Sequence, residues 1–344
     1  MKFAPAEIAQ LIAGLIAICL VTWGLAEILR LHAQRTGLLD VPNQRSSHAI
    51  PTPRGGGLAI VAGTLGTVIA LYFCGWLPPR LVLALTLGGG LVAAIGGMDD
   101  RQGVPVYVRL CAHCVAAGLA IGLVGSIESL PIGHVVVPLG YAAWLVTLIS
   151  IVWFLNLFNF MDGIDGIAIS EAIFMSAAGG LLAGINGAPP GFVVAMLALA
   201  AACLGFVPLN WPPARMFMGD AGSGFLGFAA AVFALATIVS GVLSVWTWIL
   251  LSGTFLVDAT FTLVRRLVHG DSIHHAHRSH AYQRLSRKWQ SHRRVTMCYI
   301  AINIGWLFPL ACLSAYWSQL APIFAACGVL PLVAAAVMSG AGKA

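Results

Sequence analysis

The stretch YAAWLVTLISIVWFLNLFNFMDGIDG, residues 141–166, decides the fold. Its first part, 141–155, has the composition of a bilayer interior, yet it runs directly into Asn156, Asn159, Asp162 and Asp165. Carboxylates are costly in hydrocarbon. Three-residue spacing drifts by about 60° per step on a helix, so these four groups share no face unless the helix ends among them. Gly163 and Gly166 supply that break. The reading is a membrane span closed by two asparagines, with Asp162 and Asp165 at the water boundary. Carboxylates and amide oxygens there suit Mg²⁺, which takes one or two protein carboxylates together with substrate phosphates; helix capping is the plainer use of the same residues.

The rest of the chain agrees with a membrane setting. Of its 344 residues 59% are hydrophobic and only 9% charged, with mean hydropathy +0.92, against roughly 25% charged residues in soluble domains. Apolar runs near the ~20 residues that cross a bilayer as helix fall at about 8–30, 57–77, 80–97, 106–124, 136–155, 166–184, 191–209, 222–240, 243–264, 296–316 and 319–339. The prediction is an all-α polytopic bundle of about 11 transmembrane helices forming a single domain over residues 1–344. The runs are continuous, which excludes the short alternating strands of a β-barrel. The first run continues past Trp23 into a basic loop and reads as a retained helix. Eight scattered cysteines imply no disulfide framework, and Cys111-Ala112-His113-Cys114 lacks the partner pair of a zinc site, so it reads as small residues packing a helix.

Lys and Arg set the orientation. With the amino terminus outside and the carboxyl terminus cytoplasmic, Arg35, Arg45, Arg54, Arg101, Arg215 and the cluster 265–294 share one side, against Lys2 and Arg80. By the positive-inside rule the crowded side is cytoplasmic, its loops at about 31–56, 98–105, 156–165, 210–221 and 265–295. The +6 net charge is then largely topology rather than a nucleic-acid footprint, with a surplus favouring anionic partners. Five polar motifs land on that face: DVPNQRSSHAIPTPRGGG (40–57), GGMDDRQG (96–103), NLFNFMDGIDG (156–166), NWPPARMFMGDAGSG (210–224) and HGDSIHHAHRSHAYQRLSRKWQSHRR (269–294). Adjacent Asp99 and Asp100 repel each other, and a cation would relieve the repulsion. Asp220, between glycines at a helix start, offers a metal ligand beside backbone N–H groups suited to phosphate. His274, His275, His277 and His280, among Arg278, Arg284 and Arg287, favour an anionic ligand over a metal. Asp258, inside the ninth run, is either functional or a brace for Arg265 and Arg266.

In their order along the chain, these motifs resemble those of the polyprenyl-phosphate N-acetylhexosamine-1-phosphate transferases. The likeness is carried by Asp40, Pro42, Arg45, His48, Pro53, Gly56 and Gly57, by the Asp99-Asp100 pair, by residues 156–166 and by 218–223. It implies transfer of a sugar 1-phosphate from a UDP-sugar to undecaprenyl phosphate with release of UMP, using Mg²⁺ or Mn²⁺, in a bacterial inner membrane. Carried over position by position, it gives Asp99 and Asp100 the catalytic end and Asp220 and Asp162 the metal. Asn156, Asn159, Asp165, Arg45, His48, His277, Arg278 and His280 would bind substrate. Ser46 stands where many members have Lys, and HHAHRSHAYQRL resembles the branch that starts O-antigen and related surface glycans. The donor implied is UDP-N-acetylhexosamine or a deoxy derivative, with the peptidoglycan muramoyl-pentapeptide as the alternative. An ion-coupled transporter is the rival from another class, though the external loops are nearly bare of titratable groups. A homodimer stays open as a partner.

Overall fold

The computed structural model describes residues 5–42, 50–271 and 277–343. Helices dominate: α1 Pro5–Thr36, α2 Gly57–Phe73, α3 Pro79–Gln102, α4 Val106–Val124, α5 Ala143–Met161, α6 Ile167–Ile185, α7 Pro190–Asn210 and α8 Asp220–Val239 come first. They are followed by α9 Val245–Leu251, α10 Gly253–Val268, α11 Ala281–Trp289, α12 His292–Tyr316 and α13 Ala321–Ser339. Among the described residues nine helices are long and apolar enough to cross a membrane. Counting the pair α9 and α10, bent by 84°, as one broken span gives ten against the eleven expected, and the remaining apolar run forms the shorter helix α2. The protein is an all-α polytopic membrane bundle.

The fifth span begins later than its hydropathy implied. Residues 129–138 form a hairpin in which β3 Ser129–Ile132 pairs antiparallel with β4 Val135–Pro138. Gly133, at φ 63°, supplies the positive φ of a two-residue turn, and the β-branched Val135–Val137 favour strand over helix. An apolar run thus split between a strand and the helix from Ala143.

Helix α8 is the axis of the bundle. It is buried without a break from Ala221 to Leu235, as an all-round apolar helix must be, and it packs on α2, α3 and α5. Small residues make this possible, since without a hydrophobic drive between helices in lipid, close backbone approach supplies the attraction. A Cβ on Gly57 would run into the Gly222 backbone, one on Gly96 into the Asp220 carbonyl, and one on Gly227 into the α5 backbone at Phe154 and Leu155. Outward faces carry the bilayer-facing apolar side chains, among them Ile12, Ile16 and Leu20 of α1.

The two ends of the bundle differ. At one end the hairpin is tied down by Trp246 Nε1 donating to the Pro131 carbonyl. At the other, the polar segments are bonded to one another: Phe217 N–H donates to the Pro53 carbonyl, and Gly56 and Gly57 N–H donate to the Phe217 and Met218 carbonyls. The short β1 Leu39–Asp40 and β2 Thr52–Pro53 pair beside them. Gly57→Ala is expected to cost about 1–3 kcal/mol through overpacking, read as a lowered melting temperature of the purified protein in detergent; an unchanged melt would mean that α2 and α8 have room to part.

Candidate active site

Four polar segments meet at the start of α8. Asp100, at the end of α3, is 5% exposed, and its two oxygens accept the backbone N–H groups of Asp220 (3.0 Å) and Ala221 (3.2 Å). It therefore caps α8 from a neighbouring helix, satisfying donors that a helix N-terminus leaves open. Held through both oxygens, Asp100 is placed as a positioning group for the start of α8.

Asp99 points elsewhere. One oxygen accepts Val104 N–H at 2.5 Å, and the other is bound tightly by the Arg109 guanidinium. Arg109 Nη1 also reaches Asp220 Oδ2 at 3.2 Å. The second Asp220 oxygen accepts Asn159 Nδ2 at 2.8 Å, which in turn lies 3.3 Å from Ser223 Oγ. The result is a chain, Asp99–Arg109–Asp220–Asn159, built from α3, α4, α8 and α5. Arg109 was passed over in the sequence, although it is the only charged residue inside the fourth apolar run, a signal that marks function by default.

Asn156 and Asn159 lie on the last turns of α5, before its C-cap at Asp162. Asn156 donates to the Val152 carbonyl of its own helix. Burial, then the charges of Asp220, Asp100 and Asp165, hold the Asp162 carboxyl well above the usual carboxylate range. A bound cation inverts that logic by favouring the ionised form. Among the described residues no three His, Cys, Asp or Glu side chains already stand in metal-holding geometry. Asp220 still has lone pairs left after one hydrogen bond to each oxygen, which fits a cation completed by substrate phosphates.

Asp165 is anchored rather than dangling. Its carboxylate accepts Ala214 N–H at 3.0 Å and lies 3.2 Å from His292 Nδ1, while its carbonyl accepts the Thr296 hydroxyl. It lines a cavity of about 500 Å³ with Arg278, Arg287, Arg293 and His292. His277 and His280 do not line it. His280 is 3% exposed, its ring stacked on Phe160 and on Tyr282 with Nδ1 turned to Asp258, so it packs beneath the cavity rather than lining it. His277 bonds Ser279 Oγ at 3.0 Å; burial, then His280 and Arg266, push it down to about 4, leaving a neutral ring at pH 7. Arg45, His48, His274 and His275 lie outside the described residues.

Asp258 proves to be a second cross-helix cap. Its oxygens accept Ala281 N–H (2.8 Å), Tyr282 N–H (2.9 Å) and the Tyr299 hydroxyl (2.7 Å), with His280 Nδ1 at 3.5 Å. It thus holds the start of α11 and does not brace the arginines: Arg265 donates to the Ala341 carbonyl and Arg266 pairs with Asp271. From α11 the Tyr282 hydroxyl donates to the Phe160 carbonyl at 2.9 Å, joining this loop to the asparagine-bearing end of α5. Residues 339–343 complete the support, with Arg284 donating to the Ser339 carbonyl and Gly342 N–H to the Ser279 carbonyl.

Comparison with known proteins places this geometry in company. Residues 82–238 match the family Glycosyl transferase family 4. The chain is 28% identical to the probable undecaprenyl-phosphate N-acetylglucosaminyl 1-phosphate transferase of Bacillus subtilis, over 92% of this chain and 88% of that protein. It is 32% identical to the decaprenyl-phosphate N-acetylglucosaminephosphotransferase of Mycolicibacterium smegmatis, over 85% and 79%. With the undecaprenyl-phosphate alpha-N-acetylglucosaminyl 1-phosphate transferase of Escherichia coli K12 it shares 30% identity over 79% and 76%.

The cap on α11 is open to test. Asp258→Ala strips acceptors from two N–H groups and a hydroxyl, each buried unsatisfied group costing about 1–3 kcal/mol. Limited trypsin digestion of the detergent-purified protein should then cut at Arg284, Arg287 or Lys288 at least tenfold faster than in the parent chain. Equal rates would show that α11 stands without the cap.

Proposed function

We propose, for a chain that belongs to the polyprenyl-phosphate N-acetylhexosamine-1-phosphate transferases of glycosyl transferase family 4 and so moves a sugar 1-phosphate onto a polyprenyl phosphate, that the donor is a UDP-N-acetylhexosamine. The acceptor proposed is undecaprenyl phosphate, the metal Mg²⁺ or Mn²⁺, the by-product UMP, and the setting the cytoplasmic face of a bacterial inner membrane, where the product starts a surface glycan of O-antigen type. The observation that carries the reading is the chain in which one arginine joins Asp99 to Asp220 and Asn159 takes the other Asp220 oxygen, with Asp162 capping the helix that bears Asn159.

In the reaction a phosphate oxygen of the lipid bonds to the phosphorus that carries the sugar, and the bond from that phosphorus to the UMP oxygen breaks. A phosphomonoester with its second pKa near ~6 is largely dianionic at pH 7, so the nucleophile needs little help from a base. The task left to the protein is bringing anions together and stabilising the charge that moves. Arg109 is the fixed cation for this, and Asp99, with Val104 N–H at its other oxygen, fixes the direction of the guanidinium. Asn159 holds Asp220 in place. Asp220 and Asp162 would hold the divalent cation, which supplies neutralisation of the diphosphate and of the departing UMP. Arg278, on the cavity shared with Asp165, is the contact offered to the sugar nucleotide, and Asn156 stands on the α5 face toward Asp220.

Purified protein given UDP-N-acetylglucosamine, undecaprenyl phosphate and Mg²⁺ is expected to release UMP, and omission of either lipid or metal should stop it. A panel of UDP-sugars, the muramoyl-pentapeptide among them, that yields none would overturn the reading. Asp220→Asn should abolish turnover in a protein that still elutes as the parent does; normal activity would remove it from the metal. Arg109→Ala should lower kcat by about 100-fold or more, in the range measured when one preorganised donor to a developing charge is lost.

A further inference from the structure

The cavity beside Asp220 has a wall that the reaction as described does not use. It is about 50 Å³ in volume, and Arg109, Asn156, Asn159 and Asp220 share its lining with His113. On the measure by which one water fills about 10–15 Å³, it has room for a few waters or one small anion. His113 follows Arg109 by four residues, so the two side chains stack on one face of α4. Its Nδ1 is buried, and among the described residues it has no hydrogen-bond partner. Buried polar atoms nearly always have one, so an orphan calls for a missing ligand.

The rim of the same cavity tells where that ligand comes from. Val106 and Leu110 line it and are also 52% and 47% exposed on the outside of the bundle, on a helix that crosses the membrane. A group entering between them comes out of the bilayer with a hydrocarbon tail behind it. At the inner wall it meets the Arg109 guanidinium, two amides, the Asp220 carboxylate that Arg109 pairs with, and an imidazole whose Nδ1 has no partner among the described residues. That is the chemistry of an anionic headgroup on a long apolar chain.

We infer that His113 donates a hydrogen bond to the phosphate of the lipid acceptor and, with Arg109, selects the phosphorylated lipid over its free alcohol. The inference rests on the transferase reading for the identity of the lipid. The Cys-Ala-His-Cys stretch that read as packing therefore places one working side chain in the site, while Cys111 is exposed and Cys114 half-buried.

Direct binding tests this without turnover. Protein in nanodiscs of neutral lipid is titrated with undecaprenyl phosphate and, separately, with undecaprenol. Wild type should prefer the phosphate, His113→Leu should weaken phosphate binding at least tenfold with undecaprenol binding unchanged, and His113→Gln, which keeps an N–H donor, should retain affinity within threefold of wild type. In the steady state His113→Leu should raise KM for the lipid and leave KM for the UDP-sugar within twofold. Equal affinity of His113→Leu and wild type for the phosphate, failure of His113→Gln alongside His113→Leu, or loss of both KM values together would overturn the inference. A chain that binds undecaprenyl phosphate through His113 and yet releases no UMP would overturn the transferase reading and leave this site standing.

Discussion

The start of helix α8 is held by a carboxylate from another helix, and that bond sets Asp99, Arg109 and Asp220 against one another. An α-helix leaves its first N–H groups without partners, and here the two at Asp220 and Ala221 are taken by Asp100 of α3. Because neighbouring residues on a helix point about 100° apart, fixing Asp100 inward turns Asp99 sideways onto Arg109. Asp220, the first residue of the capped helix, is then carried to the same Nη1 of that guanidinium. The arrangement repeats at α11, where Asp258 of α10 takes the N–H groups of Ala281 and Tyr282. In both cases a charge that would be costly in the membrane is offset by oriented backbone dipoles.

Charge balance around the site is uneven. Asp99 and Asp220 share Arg109 as their bonded basic group, while burial first, and then the charges of Asp220, Asp100 and Asp165, raise the proton affinity of Asp162. A protein that keeps such repulsion has a use for cationic charge that comes and goes. The proposed divalent ion, arriving with a diphosphate, brings that charge in the same event that brings the substrate, so the acids are relieved only when there is work for them.

Much of this was legible in the sequence because hydrophobicity is a strong signal in a membrane chain. The eleven apolar segments all correspond to helices or to the bent pair α9 and α10, and the break after Asn159 fell where Gly163 and Gly166 implied. The misplaced start of α5 has a plain cause: Val135–Val137 are apolar whether they form a strand or a helix. Directions of side chains were harder. Nothing in the letters Asp-Asp says which carboxylate turns toward a helix start more than a hundred residues on, and His280 reads as a ligand contact until Phe160 and Tyr282 are seen stacked on it. Arg109 was missed because an apolar run draws attention to its length and away from its exceptions, and His113 was read with its flanking cysteines as packing.

The stitching of residues 339–343 to Arg265, Ser279 and Arg284 bears on how the protein is made. The loop that carries His277 and Arg278 emerges from the ribosome before α12 and α13, yet its final fastening lies beyond both. The earlier helices supply the cap at Asp258 and the tie to Phe160, and the segment after α13 adds its bonds to a loop already held at those two points.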